Sequence, residues 1–168
     1  MMKLIELASY EQIEQVSELY RVIWNSKDNS IKNRMIKHKS YKRFKGFVIL
    51  SDENKVLGFS YGYSSLPGQF YHELLAKEFK KDEYQYWLQD CFEFVELVVH
   101  PSYRKKGLGT LLIEKLLEDL DNKTAILTTQ MDNKSARSLY DSLHWKVLKA
   151  PFYPSNTKHP YVIMGKEI

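Results

Sequence analysis

The stretch that decides the fold is Leu97-Val98-Val99-His100-Pro101-Ser102-Tyr103-Arg104-Lys105-Lys106-Gly107-Leu108-Gly109-Thr110-Leu111-Leu112. An apolar run ends at a proline, a basic turn follows, and two glycines open a long amphipathic segment. A helix N-terminus leaves about four backbone N–H groups without partners and carries partial positive charge, so it attracts anions. The stretch therefore predicts a strand, a turn and a helix that bind a pyrophosphate.

Two better-known phosphate loops do not fit this stretch. A P-loop would end in Gly-Lys-Ser or Gly-Lys-Thr, and a dinucleotide fingerprint would carry a third glycine in an opening βαβ unit. An ordinary βα turn, with glycines for geometry and lysines for solubility, is the simpler alternative. The basic residues Arg104, Lys105 and Lys106 favour the anion site, because they add charge where a polyphosphate would enter.

The flanking patterns predict a mixed α/β (α+β) protein with one domain over residues 1–168. Ser9 and Gln12 have the capping-box spacing that starts a helix. The predicted order is β-α-α-β-β-α-β-α-β-α-β-β. The predicted strands cover 4–8, 46–50, 56–63, 92–99, 124–129, 145–148 and 161–164. One helix is predicted to begin at residue 9, and four more are predicted to cover 30–43, 71–89, 107–120 and 133–143.

Composition excludes several classes of protein. The chain has 168 residues and one cysteine, so an internal disulfide and a multi-cysteine zinc site are excluded. None of the five histidines forms a His-x-x-x-His pair, and we expect no metal. No stretch approaches the roughly 20 apolar residues that cross a bilayer, so we expect a cytoplasmic protein without membrane attachment.

The net charge of +4 comes from one segment. Residues 31–45 carry seven of the 25 basic residues and no acid, which leaves 18 basic residues against 21 acids elsewhere. Such a segment is typically the solvated face of a helix. It also leaves open a nucleic-acid-binding function or the attraction of an anionic small molecule.

Two motifs carry a resemblance to a known family. Arg104-Lys105-Lys106-Gly107-Leu108-Gly109 after Val99-x-Pro101 resembles the acetyl-CoA signature of the GNAT superfamily of N-acetyltransferases. The run from Asn133 to Tyr140 resembles a later motif of that superfamily, Asn-x-x-Ala-x-x-Leu-Tyr followed by Gly-Phe, although His144-Trp145 stands where Gly-Phe is usual. The resemblance implies a mostly antiparallel, splayed sheet flanked by helices, with acetyl-CoA as co-substrate.

The resemblance also implies which residues bind the cofactor. Asn133 would contact the cofactor arm and Tyr140 would lie beside the CoA sulfur, as general acid for the departing thiolate. Backbone groups of Leu97, Val98 and Val99 would hold the pantetheine arm and the acetyl carbonyl. The pyrophosphate would be bound by the residues Arg104, Lys105, Lys106, Gly107, Leu108, Gly109 and Thr110.

Two acids stand in the most apolar predicted strand. Burying Glu93 and Glu96 there without a partner costs free energy, so their presence indicates a structural or catalytic role. Acetyl transfer to an amine requires a base, because an amine is mostly protonated at neutral pH. Glu93 ranks first as that base, by family resemblance, and Glu96 second; a salt-bridged strand residue is the alternative for each.

The acceptor stays open at this stage. Aromatic side chains could line an acceptor cleft for an apolar or cationic amine, or simply pack in the core; the candidates are Trp24, Tyr61, Tyr63 and Phe70. The chain is therefore expected to acetylate a primary amine of a small molecule or a peptide by direct transfer. The alternatives are a catalytically inert acyl-CoA-binding module and a nucleic-acid-binding protein. Many members of the family dimerise, and the sequence leaves the oligomeric state open.

Overall fold

The computed structural model describes residues 1–155 and 157–168, which contain seven strands, six α-helices and one 3-10 turn at Pro101–Tyr103. The strands are β1 (Lys3–Glu6), β2 (Lys45–Leu50), β3 (Val56–Ser65), β4 (Cys91–Val99), β5 (Thr124–Gln130), β6 (Lys146–Phe152) and β7 (Tyr161–Glu167). The helices are α1 (Tyr10–Trp24), α2 (Ser30–Lys39), α3 (Phe70–Ala76), α4 (Lys81–Trp87), α5 (Leu108–Leu117) and α6 (Lys134–Ser142).

The strands form one sheet in the order β1-β2-β3-β4-β5-β7-β6. The pairs β1–β2, β2–β3, β5–β7 and β6–β7 are antiparallel, while β4 runs parallel to β5 and pairs through Cys91 to Glu93. The predicted mixed α/β class with a mostly antiparallel sheet is confirmed.

The element order differs from the prediction between residues 71 and 89, where one helix was expected. Two short helices, α3 and α4, stand there instead. The break needs neither proline nor glycine, since Lys80 is extended and its backbone N–H donates to Glu83 Oε1 at 2.9 Å, which starts α4 afresh. The half-buried ring of Phe79 packs against an apolar cluster that includes Leu75 and Leu88. Tertiary packing therefore outweighs helical periodicity at this point.

The chain divides into two compact units, and the first comprises Met1–Tyr63 and Val95–Glu118. The expected capping box starts α1, because Gln12 N–H donates to Ser9 Oγ at 3.1 Å and Gln12 Oε1 accepts from Ser9 N–H at 2.8 Å. The core of this unit combines α1, α2, β2, β3 and the second half of β4. Its buried members are Leu7, Ile13, Val16, Leu19, Ile31, Met35, Val48, Phe59, Tyr61, Tyr63 and Val98.

The second unit comprises Ser64–Phe94 and Asp119–Ile168. Its central cluster joins α3, α4, the start of β4, β5, β6 and β7, through the buried residues Leu75, Leu88, Cys91, Ile126, Phe152 and Ile163. His72 bridges Ser65 and Tyr84 beside this cluster, at 2.8 Å to each hydroxyl. Burial lowers the pKa of His72, so this imidazole bridges the two hydroxyls in its neutral form. The single-domain organisation over residues 1–168 stays a prediction.

Over residues 1–155 and 157–168, no helix has both the length and the apolar character that crossing a bilayer requires.

His144 stands where the family motif usually has glycine, and its backbone adopts a conformation that favours glycine. Its φ is 68°, in the left-handed region, and its N–H donates to the Asp141 carbonyl at 3.0 Å as α6 ends. A non-glycine residue is strained there, by roughly 1–2 kcal/mol.

We expect His144→Gly to stabilise the protein. Relief of the strain is partly offset by the greater freedom of glycine in the unfolded chain, which leaves a gain of about 0.5–1 kcal/mol in the free energy of unfolding. For a chain of this size the melting temperature should rise by about 1–4 °C in a calorimetric scan. His144→Ala, which keeps a Cβ, is the control and should give no gain; an equal gain in both variants would contradict the strain explanation.

Candidate active site

The two acids of β4 occupy different environments. Glu93 lies in the first half of the strand, where Cys91 to Phe94 are all buried, and it is 5% exposed. Val95 to Leu97 are half-buried, and the side chain of Glu96 is 19% exposed. Of the two carboxylates, Glu96 is therefore the one that a solute can reach more easily.

Glu96 has an ion-pair partner that the sequence did not single out. Arg34 of α2 places its Nη2 nitrogen 2.6 Å from Glu96 Oε1. Burial raises the pKa of Glu96, and the guanidinium only partly offsets this effect. Burial opposes the charge on Arg34, but the Glu96 carboxylate and the hydroxyls of Tyr61 and Tyr20 raise the pKa of the guanidinium overall.

The basic segment 31–45 is thus partly neutralised inside the first unit. Lys32 pairs with Glu14 of α1 at 2.6 Å, as Arg34 pairs with Glu96. Two of its seven cations therefore hold α2 against neighbouring elements rather than forming a free basic face. This reduces the charge that a nucleic acid would meet.

An aromatic cluster supports α2 beside this ion pair. His38 Nδ1 lies 3.0 Å from the Tyr61 hydroxyl, and its ring centroid is 4.8 Å from that of Tyr63 and 5.2 Å from that of Tyr41. Tyr61 and Tyr63 are 0% and 1% exposed. Burial, followed by the charges of Arg34 and Lys37, lowers the pKa of His38 to about 4.

The four aromatic candidates for acceptor binding are not equivalent. Tyr61 and Tyr63 belong to the core of the first unit. Trp24, at the end of α1, is exposed and its ring lies 6.0 Å from that of Tyr20. Phe70, in the second unit, is exposed at the start of α3. Each of these two exposed rings is accessible to a solute within its own unit, and the binding role of all four aromatic residues stays a prediction.

The loop after β4 has the geometry of an anion site. Lys105 and Gly107 both take positive φ, 59° and 81°, and Arg104 Nε donates to the Val99 carbonyl at 3.2 Å, which ties the basic turn to the strand end. No side chain among the described residues caps the N-terminus of α5. Its first amides, at Leu108, Gly109 and Thr110, are therefore available to a phosphate.

Gly58 of β3 is a positioning residue that no sequence motif indicated. A Cβ at this position would stand 2.8 Å from the Val98 carbonyl oxygen, 3.3 Å from Leu112 Cδ1 and 3.5 Å from Val99 Cα. The His100 N–H also donates to the Leu57 carbonyl at 2.7 Å. The absence of a side chain at Gly58 lets β3 approach the end of β4, the segment expected to contact the cofactor.

Tyr140 and Asn133 lie in the second unit. Tyr140 is 7% exposed, and its ring makes edge contacts with Phe94 at 6.1 Å and Trp145 at 6.2 Å. Asn133 caps α6, since its Oδ1 accepts from the Ala136 N–H at 3.1 Å. This structural role occupies the amide oxygen and leaves the NH2 group as the donor for a ligand.

Cys91 is unsuited to be an acyl-carrying nucleophile. It is 1% exposed, and burial raises the pKa of its thiol well above the usual range. The thiolate, which is the reactive form, is therefore suppressed. No group of three His, Cys, Asp or Glu that could hold a metal ion occurs in the part of the chain that the structure describes.

Comparison with known proteins agrees with this architecture. The model of the acetyltransferase (GNAT) family matches residues 11–145. The chain belongs to the GNAT family. A ribosomal protein bS18-alanine N-acetyltransferase from Salmonella typhimurium is 27% identical over 73 residues, which is 40% of this chain and 49% of that protein. The chain thus spans about half the length of this curated relative.

Solved GNAT structures show the same fold at low identity. The ribosomal-protein-S18-alanine N-acetyltransferase from Escherichia coli has a TM-score of 0.72 at 16% identity, covering 100% of this chain and 94% of that one. Arabidopsis thaliana NAA60 in complex with acetyl-CoA has a TM-score of 0.74 at 13% identity, covering 100% and 99%. At such identity the likeness concerns the fold alone.

The lowered pKa of His38 predicts a pH dependence of stability. In the unfolded chain this imidazole takes up a proton near pH 6.5, whereas in the folded protein it becomes protonated only near pH 4. The free energy of unfolding should therefore fall as the pH drops from 6.5 to 4, by about 2 kcal/mol from this residue. Urea unfolding of His38→Gln should show a shallower loss over this window.

Two further histidines make this test specific. The His38→Gln variant still contains His72, whose pKa is also lowered, so part of the loss of stability with falling pH remains. His159→Gln, at an exposed position, is the control and should keep the full slope. A slope for His38→Gln equal to that of the unaltered protein would show that His38 titrates normally.

Proposed function

We propose that the protein is an N-acetyltransferase that moves the acetyl group of acetyl-CoA directly to a primary amine. Membership of the GNAT family supports this reaction. The observation that carries the proposal is the N-terminus of α5, which no described side chain caps. A basic turn with positive φ leads into it, a few residues after the strand that holds Glu96. The proposed pyrophosphate site and the proposed base, the half-buried Glu96, thus belong to one continuous segment that runs from β4 into α5.

The proposed cofactor site uses both backbone and side chains. The amides of Gly107 to Thr110 would bind the pyrophosphate, with charge from Arg104, Lys105 and Lys106. Backbone groups of Leu97, Val98 and Val99 would hold the pantetheine arm, and the Val99 N–H would stabilise the oxyanion. Asn133 would contribute its amide NH2 group to the cofactor arm.

Glu96 is the better candidate for the base. The amine nitrogen attacks the thioester carbonyl, a C–N bond forms, the C–S bond breaks, and the amine must lose a proton. Glu96 is partly exposed and has a raised pKa, which brings its basicity closer to neutral pH. Glu93 is 5% exposed and less able to meet an incoming amine. Tyr140 is proposed to protonate the departing thiolate.

Cofactor binding can be tested with two glycines that are alike except in location. Gly107 and Gly68 both have positive φ, 81° and 95°, and a Cβ at either would meet no atom within 4 Å. Each Gly→Ala change should therefore cost similar backbone strain. Only Gly107→Ala should weaken acetyl-CoA binding, by roughly tenfold or more, because it distorts the entry to α5.

The measurement is a thermal shift with acetyl-CoA, CoA, NADH and ATP. A ligand at about 100 times its dissociation constant adds roughly 2.7 kcal/mol to the native state. Acetyl-CoA and CoA should stabilise the unaltered protein and Gly68→Ala alike, and NADH and ATP should not. The absence of any shift with acetyl-CoA and CoA at saturating concentration would refute the cofactor site.

The base is tested by isosteric replacement. Glu96→Gln should lower kcat for amine acetylation by about 10²–10⁴-fold, because the amide cannot accept the proton, while acetyl-CoA affinity is kept. Glu93→Gln should change kcat much less. The reverse order would assign the base to Glu93. Acetyl-CoA binding without turnover of any amine by the unaltered protein would favour an inert acyl-CoA-binding module.

A further inference from the structure

We propose, resting on the acetyltransferase function above, that the acceptor is zwitterionic. It carries a primary amine and a carboxylate on the same molecule, the ammonium binding Glu96 and the carboxylate binding Arg34. An α-amino acid is the simplest compound of this class, and a peptide with an acidic first residue is a second source of the same chemistry.

The ion pair presents one charge of each sign at one place. Arg34 Nη2 and Glu96 Oε1 lie 2.6 Å apart, and this contact joins α2 to β4 across 62 positions of sequence. The side chain of Arg34 is 44% exposed and that of Glu96 is 19% exposed, so both charges can be reached by a solute. A compact zwitterion is the complement of this arrangement, because it offers the opposite charge to each group at a similar spacing.

Arg34 has donors suited to a carboxylate. Arg34 contacts Glu96 through Nη2 and also hydrogen-bonds the Tyr20 hydroxyl. A guanidinium carries five N–H donors in a planar fork that matches a carboxylate in bidentate fashion, so donors remain for a substrate carboxylate. Its exposed position at the end of a long side chain allows it to turn from Glu96 toward an incoming carboxylate. A lysine would neutralise Glu96 as well but would lack this geometry.

The local charge disfavours acceptors that carry only positive charge. Arg34 stands directly beside the proposed base, and the exposed Lys37 follows it by one turn of α2. A polyamine would have to bring a second ammonium next to these cations, which is electrostatically unfavourable. The carboxylate of a zwitterion is attracted instead.

The exchange of partners also fits the course of the reaction. A bound zwitterion separates Arg34 from Glu96 but gives each a new partner of opposite charge, so no charge is left unpaired. The ammonium gives one proton to Glu96, and the neutral nitrogen attacks the thioester carbonyl, so that a C–N bond forms and the C–S bond breaks. The nitrogen loses its second proton to the departing thiolate by way of the proposed acid Tyr140, CoA leaves as the thiol, and the product is an amide without the positive charge. After Glu96 releases the proton to water, it pairs again with Arg34, and the acylated product has lost one of its two anchors.

The test compares acids with their own amides. Acetyl-CoA consumption is followed with glycine, β-alanine and 4-aminobutyrate, with the corresponding primary amides, and with propylamine and putrescine. An amino-acid amide has the less basic amine, so a larger share of it is neutral at pH 7.5 and its intrinsic reactivity is higher. A preference for the acid would therefore come from the protein rather than from the chemistry of the amine.

We expect kcat/KM for at least one acid to exceed that of its amide by tenfold or more. Arg34→Met should reduce this ratio to one or below, and Arg34→Lys should keep part of it. Lys42→Met, which removes an exposed cation of the same segment, should leave the ratio unchanged. Tetrapeptide amides that begin with Asp or Asn form a second arm, and a preference confined to the Asp peptide would assign the carboxylate to a peptide.

A second measurement does not depend on turnover. In the presence of CoA, calorimetric titration should detect the acid and not its amide, and Arg34→Lys serves if Arg34→Met fails to fold. Acetylation of amides, propylamine or putrescine as fast as of every acid and the Asp peptide would overturn the zwitterion proposal and leave the acetyltransferase function standing. The absence of acetyl-CoA binding would instead refute the acetyltransferase function itself.

Discussion

A carboxylate half-buried in the middle of an apolar strand is the constraint around which the first unit is arranged. Glu96 stands between Val95 and Leu97 in β4, and a charge there requires a partner. Arg34 supplies it from α2, so the position of that helix is fixed by charge as well as by the burial of Ile31 and Met35. The same pairing balances the charge of a carboxylate whose side chain remains 19% exposed, which is why Glu96 is the carboxylate proposed as the base.

Backbone conformation shapes the loop between β4 and α5, where the pyrophosphate site is proposed. Positive φ at Lys105 and Gly107 turns the chain sharply, and Arg104 ties the turn to the Val99 carbonyl. The helix α5 begins after a glycine, and no side chain in the described part of the chain caps it, which leaves its first amides for another acceptor. The close approach of Gly58 to Val98 sets the end of the strand that leads into this turn.

Family membership and fold are compatible with many acceptors. The solved structures share the fold at 13–16% identity, and a likeness at that level says nothing about the side chains that would meet an acceptor. The question of which amine is acetylated has to be answered from this chain's own residues. In the first unit, the residues proposed for this contact are Glu96, Arg34 and the exposed Trp24.

The sequence by itself determined the elements whose signals are local. The capping box at Ser9 and Gln12, the β-prone run from Phe92 to Val99, and the Gly-x-Gly entry to α5 all depend on neighbouring residues, and the structure has each of these elements within one residue of the predicted position. The family and the fold class followed from two such motifs. The His144-Trp145 departure was visible too, although only the structure showed that His144 takes the positive φ of the missing glycine.

The tertiary structure decided what depends on partners far apart in sequence. The helical pattern over 71–89 broke in two, because Phe79 packs against the core of its unit. Periodicity did not separate Tyr61 and Tyr63, which are buried, from Trp24, which is exposed. Nor could spacing rank Glu96 against Glu93, since a carboxylate's burial and charge partner arise only when a helix 62 positions away reaches the strand.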